Sequence, residues 1–160
     1  MIRADISLRN PVEPQLATAE VSALVDTGAL HLCLPEHLVL QLDLKELEKR
    51  EVTLANGRRE LVPYVGPVEV RFANRRCFTG AMVLGDEVLL GAIPMEDMDL
   101  VVVPSTRRLE VNPTSPNIPS SLAKGVPGDA SVGGRGLRPE FREGGWERIR
   151  AALYEDPFGE

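Results

Sequence analysis

The sequence predicts a mainly β protein, a small barrel or sandwich, on three observations. Short strand-like apolar runs recur along residues 21–111, broken by turn signals about every 8–12 residues. Asn56-Gly57 separates two of these runs, and Asn-Gly in that setting is the strongest short-range hairpin signal. Within that body only residues 36–49 have the Leu, Glu and Lys content of a helix of any length.

In chain order, Val21 to Val25 is a compact apolar run, and Leu32 to Leu34 is a second, ended by Pro35. Residues 36–49 then predict a short helix. Glu51 to Ala55 and Arg58 to Val65 predict the two strands of the hairpin, with both turn residues at positive φ. Val68 to Phe72 alternates apolar and charged residues, the pattern of a half-buried strand. Asn74-Arg75 predicts a turn into a strand from Cys77 to Leu84. Val88 to Leu90 is apolar and ends at Gly91, and Pro94 starts a single helical turn to about Met98. Leu100 to Val103 and Leu109 to Val111 predict closing strands around a turn at Pro104-Ser105-Thr106.

Composition divides the chain. From Asn112 to Pro139, 14 of 28 residues are Pro, Gly or Ser, too many for a packed core, which predicts a domain over 1–111 and a flexible linker over 112–139. Residues 140–160 hold four of the seven aromatic residues, so this short tail is not a bland one. Trp146, Ile149 and Leu153 fall on one face of a docking helix that could start at Pro139, although Gly144 and Gly145 weaken it.

With 160 residues, 43% hydrophobic and 26% charged, the chain has an ordinary globular composition. A net charge of −6 and a pI near 5.1 argue against a nucleic-acid partner. No apolar stretch is long enough to cross a membrane, and the first residues lack the apolar segment of a secretion signal, so the expected location is cytoplasmic. Cys33 and Cys77 make neither a disulfide framework nor a zinc set, and His31 and His37 lie across Pro35 without metal-ligand spacing. No metal and no cofactor are expected. Cys77 reads as a small buried hydrophobe, and Cys33 as a core thiol beside a surface His37 rather than a nucleophile pair. Asp97 and Asp99 read as capping or solvating a helix end, and Arg58-Arg59, Arg75-Arg76 and Arg107-Arg108 as solvated hairpin tips.

The candidate catalytic group is Asp26, directly after the apolar run Ala23-Leu24-Val25 and followed by Thr27, Gly28 and Ala29. A carboxylate there is expensive unless its charge is used or satisfied. Asp-Thr-Gly alone is also an ordinary turn tripeptide, since Asp bonds its own backbone and Gly accepts positive φ. The apolar strand before it, the Asn56-Gly57 hairpin, and Leu89-Leu90-Gly91-Ala92 some 60 residues later give it a context.

Together these stretches, with the closing Leu100-Val101-Val102, resemble the retropepsin-like aspartic proteases, especially the small single-domain bacterial type, over roughly residues 15–122. The resemblance implies a small closed acid-protease barrel with one or two short helices, followed here by the Pro/Gly/Ser-rich extension. It implies a flap at Ala55, Asn56, Gly57 and Arg58, and a supporting strand at Leu90 and Gly91 beneath the catalytic loop. It also implies a peptide or protein substrate cut by a water held between two carboxylates. The chain has a single Asp-Ser/Thr-Gly, so an active enzyme must be a homodimer that supplies Asp26 twice, with Thr27 bracing the two loops and Gly28 letting substrate approach. Leu30, Leu84, Val88 and Leu89, with Ala55, are the candidates for apolar substrate pockets. Leu30, His31 and Ala92 stand where retroviral members carry a charged pair that steadies the dimer. Two alternatives accompany this expectation. One is a non-catalytic dimeric module that binds an extended peptide by strand addition. The other is a precursor whose tail covers the cleft.

Overall fold

The computed structural model describes residues 1–123. Nine strands and two short helices follow one another as β1 (Ile2–Arg9), β2 (Ala19–Val25), β3 (Leu32–Leu34), α1 (Glu36–Gln41), β4 (Lys45–Thr53), β5 (Arg59–Phe72), β6 (Arg75–Val83), β7 (Leu89–Leu90), α2 (Ala92–Asp97), β8 (Leu100–Val103) and β9 (Arg108–Val111). Six of these close a barrel in the order β1-β2-β7-β3-β6-β5, with β5 returning to β1 through Ser7 opposite Arg71 and Leu8 opposite Val70. The predicted mainly β barrel with two short helices is therefore the observed fold. Strand β4 pairs only with β5 and projects from the barrel as the outer half of a two-stranded arm. Strands β8 and β9 form a separate two-stranded sheet.

The core follows from alternation along the strands. Ile6 and Leu8 of β1, Leu32 and Leu34 of β3, Val68 and Val70 of β5, and Leu90 of β7 are all at most 1% exposed. Burial of each such side chain stabilises by roughly 1.5–3 kcal/mol before chain entropy is counted. Strand β1 was absent from the sequence expectation, yet its signal is present. Ile2, Ala4, Ile6 and Leu8 alternate with Arg3, Asp5, Ser7 and Arg9, and Ala4, Ile6 and Leu8 are buried.

Three other expectations are corrected. The helix over 36–49 stops at Gln41, because Leu42 and Leu44 turn into the core around Asp43 at φ +49, and residues 45–53 pair with β5 instead. Five of the first five residues of β4 are exposed, so nothing in their polarity announces a strand; the ladder to β5 overrides local helix propensity. The two strands expected over 58–72 are one, β5, with a register shift against β6 between Val65 and Val68 around Gly66-Pro67. The turn expected at Asn74-Arg75 is at Ala73-Asn74, with Ala73 at φ +50, and Arg75 is not a solvated tip. Arg75 opens β6, is 2% exposed, and donates to the Ser115 carbonyl.

Asp99 does more than solvate a helix end. It follows the last residue of the α2 cap at φ +53, and its carboxylate accepts hydrogen bonds from the Ser115 hydroxyl, the Ser120 amide (2.9 Å) and the Asn112 amide group (3.0 Å). These bonds, with that to Ser115 the largest effect, push its pKa down to about 2. Residues up to Ser121 thus belong to the same compact unit as the barrel, past the composition shift at Asn112. The expectations for the rest of the linker and for the docking helix over 140–160 lie outside the described residues.

Candidate active site

Strand β2 delivers Asp26 to one end of the barrel. It runs parallel to β7, with Leu24 opposite Leu89 and Val25 opposite Leu90. The Leu24 amide donates to the Val88 carbonyl at 2.8 Å, and the Asp26 amide to the Leu90 carbonyl at 3.1 Å. The chain then turns: Asp26 Oδ1 accepts the Gly28 amide at 2.8 Å, and the Asp26 carbonyl accepts the Ala29 amide at 3.3 Å. This is the ordinary preference of Asp for bonding backbone two residues on. Here it occupies one carboxylate oxygen, Oδ1, with a backbone donor. Asp26 is half-buried, and Thr27 and Gly28 are exposed.

The outgoing loop is tied to the second half of the fold. The Ala92 amide donates to the Ala29 carbonyl at 2.8 Å, and the Ile93 amide to the Leu30 carbonyl at 2.9 Å. Gly91 makes this approach possible, since a Cβ there would lie 2.4 Å from the His31 carbonyl oxygen and 2.7 Å from the Leu30 carbonyl carbon. Leu90 and Gly91 therefore carry the loop from below, one as core and the other as a close backbone contact.

The pocket candidates separate. Leu84 and Leu89, with Cys33, Gly85, Asp86 and Glu87, line a groove of about 230 Å³. Leu30 stands 58% exposed beside the loop. Val88, just before β7, is 4% exposed and packs in the barrel core, so its side chain goes to the interior rather than to a pocket. Burial and the nearby Asp26 charge raise the Cys33 thiol pKa, which keeps it protonated; burial first, then the Asp97 charge, push Cys77 up to about 12. Thr27 borders a second groove, of about 260 Å³, with Ala92, Met95, Glu96, Leu100 and Val102.

The hairpin is present with a different turn. Of Ala55, Asn56, Gly57 and Arg58, only Gly57 has positive φ, at +82°. The Gly57 amide donates to the Leu54 carbonyl and the Leu54 amide to the Arg58 carbonyl, both at 2.8 Å, while Asn56 Oδ1 accepts the Arg58 amide at 2.9 Å. This is a three-residue loop with a left-handed glycine, not a two-residue turn needing positive φ twice.

Two residues that the sequence expectation passed over, Tyr64 and Arg50, lie at the root of the arm beside His31, in the segment between the Asp26 turn and β3. The Tyr64 ring packs edge-on to His31 (centroids 6.0 Å apart) and lies on Gly80, where a Cβ would be 2.1 Å from the ring. The Arg50 guanidinium stacks over the Tyr64 ring, 3.7 Å from its centroid. Burial and the Arg50 charge lower the His31 pKa, so the imidazole is neutral near pH 7. The one sequence signal was Gly80, a glycine inside a strand, which marks a close approach. Among the described residues no cluster of three or more His, Cys, Asp or Glu side chains is arranged to hold a metal ion, and no helix is long and apolar enough to cross a membrane.

A family model described as aspartyl protease matches residues 12–76, a span that holds the Asp26 loop, α1 and the whole arm. No curated protein matches the chain.

Proposed function

We propose that this chain, a member of the retropepsin-like aspartyl protease family through residues 12–76, is an aspartic endopeptidase that works as a homodimer. The family membership marks a protease-type function in general terms. The observation that carries the finer proposal is the loop itself: Asp26 half-buried at the end of β2, one oxygen held by the Gly28 amide, Thr27 and Gly28 open to a partner.

One carboxylate cannot be general base and proton donor in the same step. Two carboxylates roughly 3 Å apart cannot both ionise, so they share one proton. A second copy related by a two-fold axis beside Thr27 supplies the second Asp26. The ionised partner takes a proton from the water as its oxygen attacks the peptide carbonyl carbon. The protonated partner donates to the carbonyl oxygen as negative charge develops there. Collapse of the tetrahedral intermediate breaks the C–N bond, and the leaving nitrogen takes up a proton from the pair. The half-exposed apolar strand Leu100–Val103, adjoining Thr27 through the groove shared with Ala92 and Met95, supports this face as the contact with the second copy. The arm over Leu54–Arg58 would close on a bound peptide.

The test is a digest of an unbiased peptide pool from pH 4 to 7.5, read by mass spectrometry, with the oligomeric state measured at the assay concentration. Cleavage by the wild type that disappears in Asp26→Asn supports the proposal. An uncut pool, with the dimer present, overturns it in favour of the peptide-binding module.

A further inference from the structure

The two faces of the arm are chemically different, and one of them meets the segment that follows the Asp26 turn. In the ladder Glu48 lies opposite Tyr64, Arg50 opposite Val62 and Val52 opposite Glu60, and directly opposed residues share a face. The alternate residues, Pro63 among them, belong to the reverse face, where Pro63, Val65 and Glu46 border a groove of about 350 Å³ with Val39 and Leu40 of α1. The Tyr64 face meets His31, five residues after Asp26. It is the inner face of the arm.

On that face Arg50 is held in place. Its guanidinium is stacked on Tyr64, and Tyr64 is seated on Gly80. Nε donates to Glu48 Oε1 at 2.7 Å, while neither Nη1 nor Nη2 has a partner among the described residues, and the side chain is 35% exposed. A guanidinium with its stem fixed and two parallel donors open matches one ligand geometry above others, a carboxylate gripped by two hydrogen bonds. Stacking on the aromatic face adds cation–π attraction and lowers the entropy lost on binding. Toward the tip the other inner-face cation, Arg58, is already near Glu60 at 3.5 Å.

We propose that Arg50, laid over Tyr64 beside His31, is a specificity residue that binds an aspartate or glutamate side chain of the peptide a few residues from the cut bond. This rests on the peptide-cleaving function proposed above and adds the substrate class. Glu48 offsets part of the Arg50 charge, so the preference comes from the open donor pair more than from net charge. The expected size is about tenfold, one charge-assisted hydrogen-bond pair at a partly exposed site.

The peptide-pool digest reads this directly when scored for Asp and Glu against Asn and Gln at each position from the cut. The wild type should enrich acids about tenfold at one position, Arg50→Gln should lose that enrichment, and Glu48→Gln should raise it. Arg50→Lys should recover only part, because an ammonium lacks the fork. Cleavage with no acidic preference, or a preference unchanged by Arg50→Gln, overturns the proposal while leaving the protease function standing. Binding gives a readout independent of turnover: Asp26→Asn is applied to an array of matched Glu and Gln peptides, with and without Arg50→Gln. Retention of Glu peptides that requires Arg50 supports the inference even if the pool is never cut, and equal retention of both series overturns it. Thermal melts matched to wild type establish that each variant is folded.

Discussion

The Asp26 loop and the arm tip are both short turns between strands, yet they are supported in opposite ways. The loop from Asp26 to Leu30 exchanges backbone hydrogen bonds with Leu90, Ala92 and Ile93, and Gly91 lets the two backbones touch. Among the described residues the backbone of the tip from Leu54 to Arg58 bonds only within the tip, and β4 behind it has one paired edge, with only Arg50 and Val52 half-buried. In the proposed dimer, a carboxylate placed against a second one to within a fraction of an ångström needs the first kind of support. The proposed closing of the arm on a peptide draws on the second, because few buried contacts have to be broken to move it.

Substitutions that strike one region and spare the other separate the two. The largest effect belongs to Asp26→Asn, which keeps an acceptor for the Gly28 amide but removes the charge. Turnover should fall at least about 10²-fold, the low end of what general acid–base catalysis contributes, while a urea melt stays close to wild type. Gly91→Ala comes next. Its Cβ would meet backbone on β3's approach that has nowhere to go, so stability should drop by about 3 kcal/mol or the chain should fail to fold, as read by the same melt.

Gly57→Ala should be milder. No atom lies within 4 Å of the added Cβ, so only the left-handed φ of +82° is penalised, by about 1–2 kcal/mol at most. The loss should be confined to the arm, visible as faster amide exchange at β4 with the barrel strands unchanged. Outside both regions, Asp99 provides a pH marker for the barrel unit. Its folded pKa of about 2 lies below the ordinary 3.8, so its contribution is complete above pH 3.8 and is lost as pH falls toward 2. Asp99→Asn should therefore flatten the acid limb of the stability curve between those values without altering the neutral-pH cleavage pattern.

Much of the site was legible because its signals are local. An apolar run ending in Asp-Thr-Gly, an Asn-Gly between strands and an apolar run ending in Gly91 each describe a turn and its flanks within a few residues. What was not legible depends on partners far along the chain. Lys45 to Lys49 reads as helix until β5 offers a ladder, and Val88 reads as a pocket wall until the β2–β7 pairing fixes the alternation of the run that enters β7. Arg75 reads as a solvated tip until Ser115 returns, 40 residues later, to accept its hydrogen bond.

The sequence by itself determined the strand-rich class, the hairpin and the position of the candidate carboxylate, since backbone preference and alternation are written in neighbouring residues. Only the tertiary structure decided that β1 closes the barrel against β5, that β4 is the outer strand of an arm, and that Arg50, Tyr64 and His31 meet at its root. Those outcomes depend on which strand lies beside which, and pairing between distant segments is set by the whole core being buried at once rather than by any stretch of chain alone.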